Sequence, residues 1–283
     1  MQNRSFVAGL IGRGISQSRS PALHEDEGEA LGLHYVYKII DFEALGLSES
    51  DLAATLVHAR RLGFSGLNVT HPYKQTVMPL LDGLSPEAEA IGAVNTVRIR
   101  DGRMTGHNTD AFGFAEGFRN GLTGAPVHHV VQLGAGGAGA ATAYAMLDLG
   151  AERLELSDIE PARAAALAER LGRHFEPSRI AVVRDLEASL TEADGVVHAT
   201  PTGMAGHPGL PLPAAMLSVR HWVAEIVYFP LETELLALAR RLGCRTLDGG
   251  AMVVYQAAKA FELITGETAN AGRMLARFRA SIS

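Results

Sequence analysis

The chain has 283 residues, 47% of them hydrophobic, enough for two compact domains with sizeable cores and incompatible with a disordered or fibrous protein. A formal charge of -6 with no long run of Lys or Arg argues against nucleic acid or an anionic membrane as the main partner, while local basic residues can still bind a small anion. The single cysteine, Cys244, excludes an internal disulfide framework and any cysteine-built metal site, so a reducing compartment and a cytoplasmic location are expected.

Residues 5–11 read as a buried strand that runs into a glycine-rich turn at Gly12 and Gly14. Arg13 interrupts this apolar run and no cleavage pattern follows, so no secretory signal is expected. Pro21 sits where a helix can begin, and the helix from about Ala22 ends near Gly32. A strand over 35–40 and a helix over 51–62, closed by Gly63, follow. The spacing then predicts a strand over 66–69, a helical stretch opened by Pro72, and a hairpin in which 93–100 pairs with 103–107 across Asp101-Gly102.

Gly121, Gly124 and Pro126 punctuate the chain before a new apolar strand, and a domain boundary is expected there. Beyond it strands and helices alternate: strand 130–133, helix 138–149, strand 153–157, helix 161–171, strands 181–183, 195–199 and 222–227, helix 231–242, strand 246–247, and a last helical region from about Val253. That order predicts a parallel sheet with helices on both faces. The uncharged stretch 133–147 is too short and too rich in glycine for a membrane span.

Gly134-Ala135-Gly136-Gly137-Ala138-Gly139 has glycine at its first, third and sixth positions, directly follows an apolar strand and opens an Ala-rich helix. The first glycine permits a tight turn, the next lets the backbone approach a pyrophosphate, and the last allows close helix–strand packing. Asp158, nineteen residues beyond Gly139 and just past a strand, has the place of the carboxylate that binds a ribose 2′-hydroxyl and repels a 2′-phosphate. NAD is therefore favoured, with residual NADP use because Arg163 lies nearby. Strand before, helix after and acid at the right distance together outweigh the alternative of a merely flexible loop.

Four further segments carry a family resemblance: Ser16-Gln17-Ser18-Arg19-Ser20-Pro21, Asn68-Val69-Thr70-His71-Pro72-Tyr73-Lys74, Gly92-Ala93-Val94-Asn95-Thr96 and Gly106-His107-Asn108-Thr109-Asp110. With the glycine loop, Ala199-Thr200-Pro201-Thr202-Gly203-Met204 and Gln256, they stand in the order and spacing of shikimate dehydrogenases over nearly the whole chain. Ser157-Asp158-Ile159, where the NADP enzymes usually carry Asn-Arg-Thr, makes the sequence most similar to the NAD-using quinate/shikimate branch.

The resemblance implies that Lys74 and Asp110 are the catalytic pair, that Ser18 and Ser20 bind the substrate carboxylate, and that Thr70, Asn95, Asp110 and Gln256 hold ring hydroxyls. It places Tyr228 near nicotinamide or substrate. Thr200, Met204, Val227 and Gly250 join the glycine loop as cofactor-binding residues. Taken one by one, Lys74 reads as a solvated charge, Asp110 as a helix N-cap, Ser20 as a cap ahead of Pro21 and Met204 as a core filler. Ser20, where the family has Ser or Thr, favours shikimate over quinate. The eleven histidines show no metal-binding spacing, and no metal is expected.

The expected protein is thus a two-domain α/β dehydrogenase of a small cyclic hydroxy acid. Residues 1–120, completed by 251–283, form the substrate domain, and 121–250 form a Rossmann-type doubly wound domain. An amino-substituted shikimate and a non-catalytic dinucleotide sensor are the alternatives. Assembly is left open, with a homodimer as one option.

Overall fold

The computed structural model describes residues 4–282. Its contacts divide the chain into two compact units, one reaching to Thr109 and resuming at Gln256, the other Asp110–Tyr255. In chain order the first contains β1 (Ser5–Gly12), α1 (Ser20–Ala30), β2 (His34–Asp41), α2 (Leu52–Arg61), β3 (Gly66–Val69), β4 (Gly83–Leu84), α3 (Pro86–Ile91), β5 (Thr96–Arg100) and β6 (Arg103–His107). Its six-stranded sheet has the order β2-β1-β3-β5-β6-β4. It is mixed: β1 runs parallel to β2 and β3, whereas β5 is antiparallel to both β3 and β6.

Successive strand residues point to opposite faces, so each face of this sheet has its own core. Ile11, Leu67 and Val69 meet Leu52 and Leu56 of α2 on one side, while Leu10, Tyr35 and Tyr37 meet Phe261 and Ile264 on the other. The helical stretch expected after Pro72 is not an α-helix. Residues 71–77 form successive turns and a short 3₁₀ segment, Met78–Leu80, follows. Pro79 supplies the reason: it has no amide hydrogen to donate and restricts Met78, leaving too little chain after Pro72 for a regular helix. The short helix α3 was not anticipated, although Ser85 caps it by accepting from the Ala88 amide and Gly92 closes it at φ 71°.

The second unit begins in α4 (Thr109–Gly121) and continues with β7 (His129–Leu133), α5 (Gly137–Asp148), β8 (Arg153–Ser157), α6 (Pro161–Leu171), β9 (Ile180–Val182), α7 (Leu186–Glu192), β10 (Gly195–His198), β11 (Trp222–Glu225), α8 (Glu234–Arg241) and β12 (Arg245–Leu247). α9 (Gly249–Thr265) spans the division point and α10 (Ala271–Ile282) ends the chain. The six strands are all parallel in the order β12-β11-β10-β7-β8-β9. Counted within this unit that is 6-5-4-1-2-3, the doubly wound Rossmann order, whose direction reverses between β7 and β10.

The expected boundary at 120/121 differs from the division at 109/110. The Phe118 ring of α4 meets Trp222 edge-on at 4.8 Å, and a side chain at Gly121 would strike Leu247 at 2.7 Å. Helix α4 therefore groups with the parallel sheet, and the glycine-punctuated stretch after it is a loop of the second unit. The Trp222 ring also lies flat over Gly195, where any Cβ would come within 2.1 Å of it. Among the described residues no helix is long and apolar enough to cross a membrane.

Candidate functional site

In the first unit the residues singled out from sequence sit at strand ends and in the loops that follow. The loop after β1 carries Ser18 and Ser20, and Asp41 at the end of β2 anchors it. One Asp41 carboxylate oxygen accepts the Gly14 and Glu43 amides, and the other accepts the Ile15 amide and the Ser16 hydroxyl, the last at 2.6 Å. This set of donors, Ser16 foremost, holds the Asp41 carboxyl down to about 2. The Ser18 hydroxyl lies 3.1 Å from that of Ser20 and also accepts the Ser20 amide. Helix α1 thus begins at Ser20 itself, preceded by Arg19, and the Ser20 side chain does not cap it.

Beside this loop lies a buried polar network. The Tyr37 hydroxyl donates to Asn68 Oδ1 at 2.8 Å. Burial pushes the Tyr37 phenol far above its usual range, so it remains a donor. Asn68 Nδ2 donates to the Thr96 hydroxyl at 2.9 Å and to the Asn95 carbonyl. Asn95 Oδ1 accepts the Thr109 amide at 2.7 Å, while its Nδ2 donates to the Thr109 hydroxyl and, at 3.4 Å, to Gln256 Oε1. Sequence reasoning named Asn95 and Gln256 but missed Tyr37 as the buried donor to Asn68, because a tyrosine alternating in a strand has no local mark of its function.

Thr70 and Lys74 flank the turn after β3, both half-buried, and the Lys74 carbonyl accepts the Val94 amide. Asp110 is 7% exposed in the first turn of α4, one residue after Thr109. Lys74 belongs to the first unit and Asp110 to the second.

In the second unit the glycine loop joins β7 to α5 at the point where strand order reverses, which is where doubly wound sheets bind ligands. Gly134 adopts φ +101°, and a Cβ there would sit 2.4 Å from the Ala199 carbonyl. At Gly139 a Cβ would sit 2.3 Å from the Gly134 carbonyl, which is the close approach of helix to loop that the pattern requires. By contrast, nothing lies within 4 Å of a Cβ at Gly136 or Gly137, so the helix N-terminus is open on that side. Open amides and an open approach fit a pyrophosphate. Ala135 is buried and Ala138 half-buried in the same loop.

Two side chains fix this loop. Gln132, fully buried in β7, donates to the carbonyls of both Gly134 (2.9 Å) and Gly139 (2.7 Å), and its Oε1 accepts the Thr142 hydroxyl. It was not anticipated from sequence, since a glutamine in an apolar strand reads only as an interruption. Asp158, expected as the ribose ligand, also accepts the Ala135 amide at 2.8 Å and the Glu160 amide at 2.9 Å. A carboxylate has lone pairs left for a further donor after accepting these two. Arg163 is exposed and ion-paired to Glu160 at 2.7 Å.

Across the reversal point, Thr200 follows β10 and Val227 follows β11. Val227 is buried, whereas Met204 is 43% and Tyr228 50% exposed in the adjoining loops. Gly250 lies in the first turn of α9, its amide held by Asp248, six residues before Gln256 on the same helix.

Known proteins with the same arrangement are numerous. A family model described as the shikimate dehydrogenase substrate binding domain matches residues 10–97. A shikimate dehydrogenase (NADP(+)) of Streptomyces avermitilis is 56% identical, with 98% of this chain and 96% of that protein covered. A quinate/shikimate dehydrogenase (NAD(+)) of Corynebacterium efficiens is 48% identical over 98% of this chain and 99% of its own. Among solved structures, a quinate dehydrogenase from Corynebacterium glutamicum in complex with NAD superposes with a TM-score of 0.93 at 46% identity, covering 98% of this chain and 100% of that one.

Proposed function

The chain belongs to the shikimate dehydrogenase family, and from that membership we propose that it is an NAD-preferring oxidoreductase interconverting shikimate and 3-dehydroshikimate, with quinate as a second substrate. The observation that carries the reading is the fixed polar network Tyr37–Asn68–Asn95–Thr109–Gln256, together with the Ser18–Ser20 hydroxyl pair. It offers directional donors and acceptors suited to a small polyhydroxy acid, and a wrong substrate leaves some of them unpaired. Ser18 and Ser20 take the carboxylate, and Thr70, Asn95, Asp110 and Gln256 take the ring hydroxyls.

Gly134 to Gly139, Asp158, Thr200, Met204, Val227 and Gly250 hold the dinucleotide, with Arg163 at the margin and Tyr228 beside the reacting end. Bound there, the dinucleotide supplies the hydride acceptor. The chain's own part is to position the substrate carbon and to manage one proton. As the substrate hydroxyl becomes a carbonyl, its proton passes to the Lys74/Asp110 pair, which returns it in the reverse direction.

Asp158 supports the preference for NAD through its charge. The relatives divide on this point, since the Streptomyces avermitilis protein carries NADP(+) in its name and the Corynebacterium efficiens protein NAD(+). Quinate enters as a second substrate because of the Corynebacterium relatives.

The test is initial rates with shikimate and with quinate, each against NAD and NADP, for wild type and Lys74→Ala. The expected result is the highest kcat/KM for shikimate with NAD, and turnover lost in the variant by about 10²-fold or more, the low end of what a positioned acid–base group contributes. Dinucleotide affinity should be unchanged. Turnover by Lys74→Ala at the wild-type rate would refute the catalytic assignment.

A further inference from the structure

The C-terminal ends of β10 and β11 are tied by a buried pair of side chains. His198 and Glu225 are direct partners in the parallel ladder, and their side chains are completely buried. His198 Nδ1 lies 2.9 Å from each Glu225 oxygen. The other contacts of the carboxylate are also donors: the Val227 amide at 3.0 Å and the Thr233 hydroxyl at 3.2 Å. Thr233 in turn caps α8 by accepting the Leu236 amide. At the far side of the imidazole, Nε2 meets the Thr200 hydroxyl at 2.5 Å, and Thr200 Oγ1 also accepts the Thr202 amide.

Glu225 thus sets the tautomer. With Nδ1–H held by the carboxylate, Nε2 faces the Thr200 hydroxyl, which also reaches the Thr202 hydroxyl at 3.1 Å. Burying a carboxylate with an imidazole is a poor way to gain stability, because well-packed apolar residues of similar volume do as well or better. Its effect here is geometric. The chain Thr200–His198–Glu225–Val227/Thr233 fixes the first residues after two neighbouring strands and the start of the helix after the second.

Those strand ends lie on one side of the reversal point. The glycine loop marks the reversal and Asp158 lies on the other side, where the adenosine ribose is expected. We propose that His198 and Glu225 are positioning residues that hold Thr200 and the Val227 backbone in place for the nicotinamide half of the dinucleotide, leaving the adenosine half unaffected. This rests on the reading of unit Asp110–Tyr255 as the dinucleotide site.

The test compares binding of NAD and of ADP-ribose, which lacks the nicotinamide, by calorimetry, together with the thermal midpoint. His198→Leu alone leaves a buried carboxylate without its main partner and is expected to lower the midpoint. The double variant His198→Leu/Glu225→Met removes both polar groups and should recover part of it, the remainder being the Val227 amide and Thr233 hydroxyl left without their acceptor. In both, NAD affinity should fall by about tenfold, the loss of one or two well-placed contacts, while ADP-ribose affinity stays within about twofold. A purely structural pair predicts that NAD affinity recovers with the midpoint, or that both ligands weaken equally, and either outcome overturns the proposal. Wild-type protein that bound neither ligand would instead remove the dinucleotide reading, and the proposal with it.

Discussion

Replacing Asp158 with asparagine should turn the cofactor preference toward NADP, and the structure allows the size of the effect to be worked out. Asparagine keeps an oxygen for one of the two amides now bound, Ala135 or Glu160, so the loop retains half of its anchor. What disappears is one negative charge. A 2′-phosphate carries about -1.5 to -2 charges, and each unit pair at about 4 Å is worth about 1 kcal/mol even at the dielectric constant of water, so relief of repulsion is worth roughly 1.5–2 kcal/mol for NADP. NAD loses the charge assistance of its ribose hydrogen bond, on the order of 1 kcal/mol. Together the ratio of kcat/KM for NAD over NADP should fall by roughly 10²-fold, at 1.4 kcal/mol per tenfold. Initial rates with both cofactors at saturating shikimate, in low and moderate salt, measure it. A ratio that moved by less than about threefold would refute the assignment of Asp158, since even the water-screened repulsion exceeds that.

Gln132→Met should leave the Gly134 carbonyl without its buried donor, whereas Gly139 and Thr142 still have each other. One orphaned acceptor costs about 1–3 kcal/mol, to be read as a lowered urea midpoint together with weaker ADP-ribose binding; an unchanged midpoint would remove Gln132 as the clamp. Asp41→Ala should free the loop carrying Ser18 and raise KM for shikimate with little change in NAD affinity, because every donor to that carboxylate lies in the loops after β1 and β2. Equal losses for substrate and cofactor would contradict a local role.

His24 is fully buried among Tyr35, Tyr37 and Phe261, and burial lowers its pKa from 6.5 to about 3. Between those values the unfolded chain binds the proton and the folded one does not, so stability is lost as pH falls below 6.5, and the loss is complete only near 3. From pH 7 to 5 the contribution is on the order of 2 kcal/mol, at 1.36 kcal/mol per unit. His24→Phe should flatten the urea-midpoint profile over that range, and parallel profiles for wild type and variant would show that the buried imidazole is not the cause.

Much of the second unit was legible in advance because its signals are local. A glycine loop between an apolar strand and an Ala-rich helix, with an acid after the next strand, fixes turn, helix start and strand within thirty residues. Helix α7 escaped, although Asp185 caps it through the Glu187 and Ala188 amides, because seven residues show too little periodicity. The stretch after Pro72 carries a helix-opening signal, but Pro79 imposes a stop before a regular helix can form. The placing of α4 depended on Phe118 reaching Trp222, a contact across a hundred residues that no window of sequence contains.

The sequence by itself determined the parallel α/β half and the glycine loop, which follow from residue type and near spacing. The polar residues proposed to hold a hydroxy acid came from the family resemblance, since one by one they read as caps and solvated charges. Only the tertiary structure decided the strand order with its reversal at β7 and β10, the Tyr37–Asn68 hydrogen bond, the Gln132 clamp and the His198–Glu225 pair. Each of these joins residues from different strands or loops. Whether a buried polar side chain is a partner or a defect depends on what the fold brings within 3 Å of it.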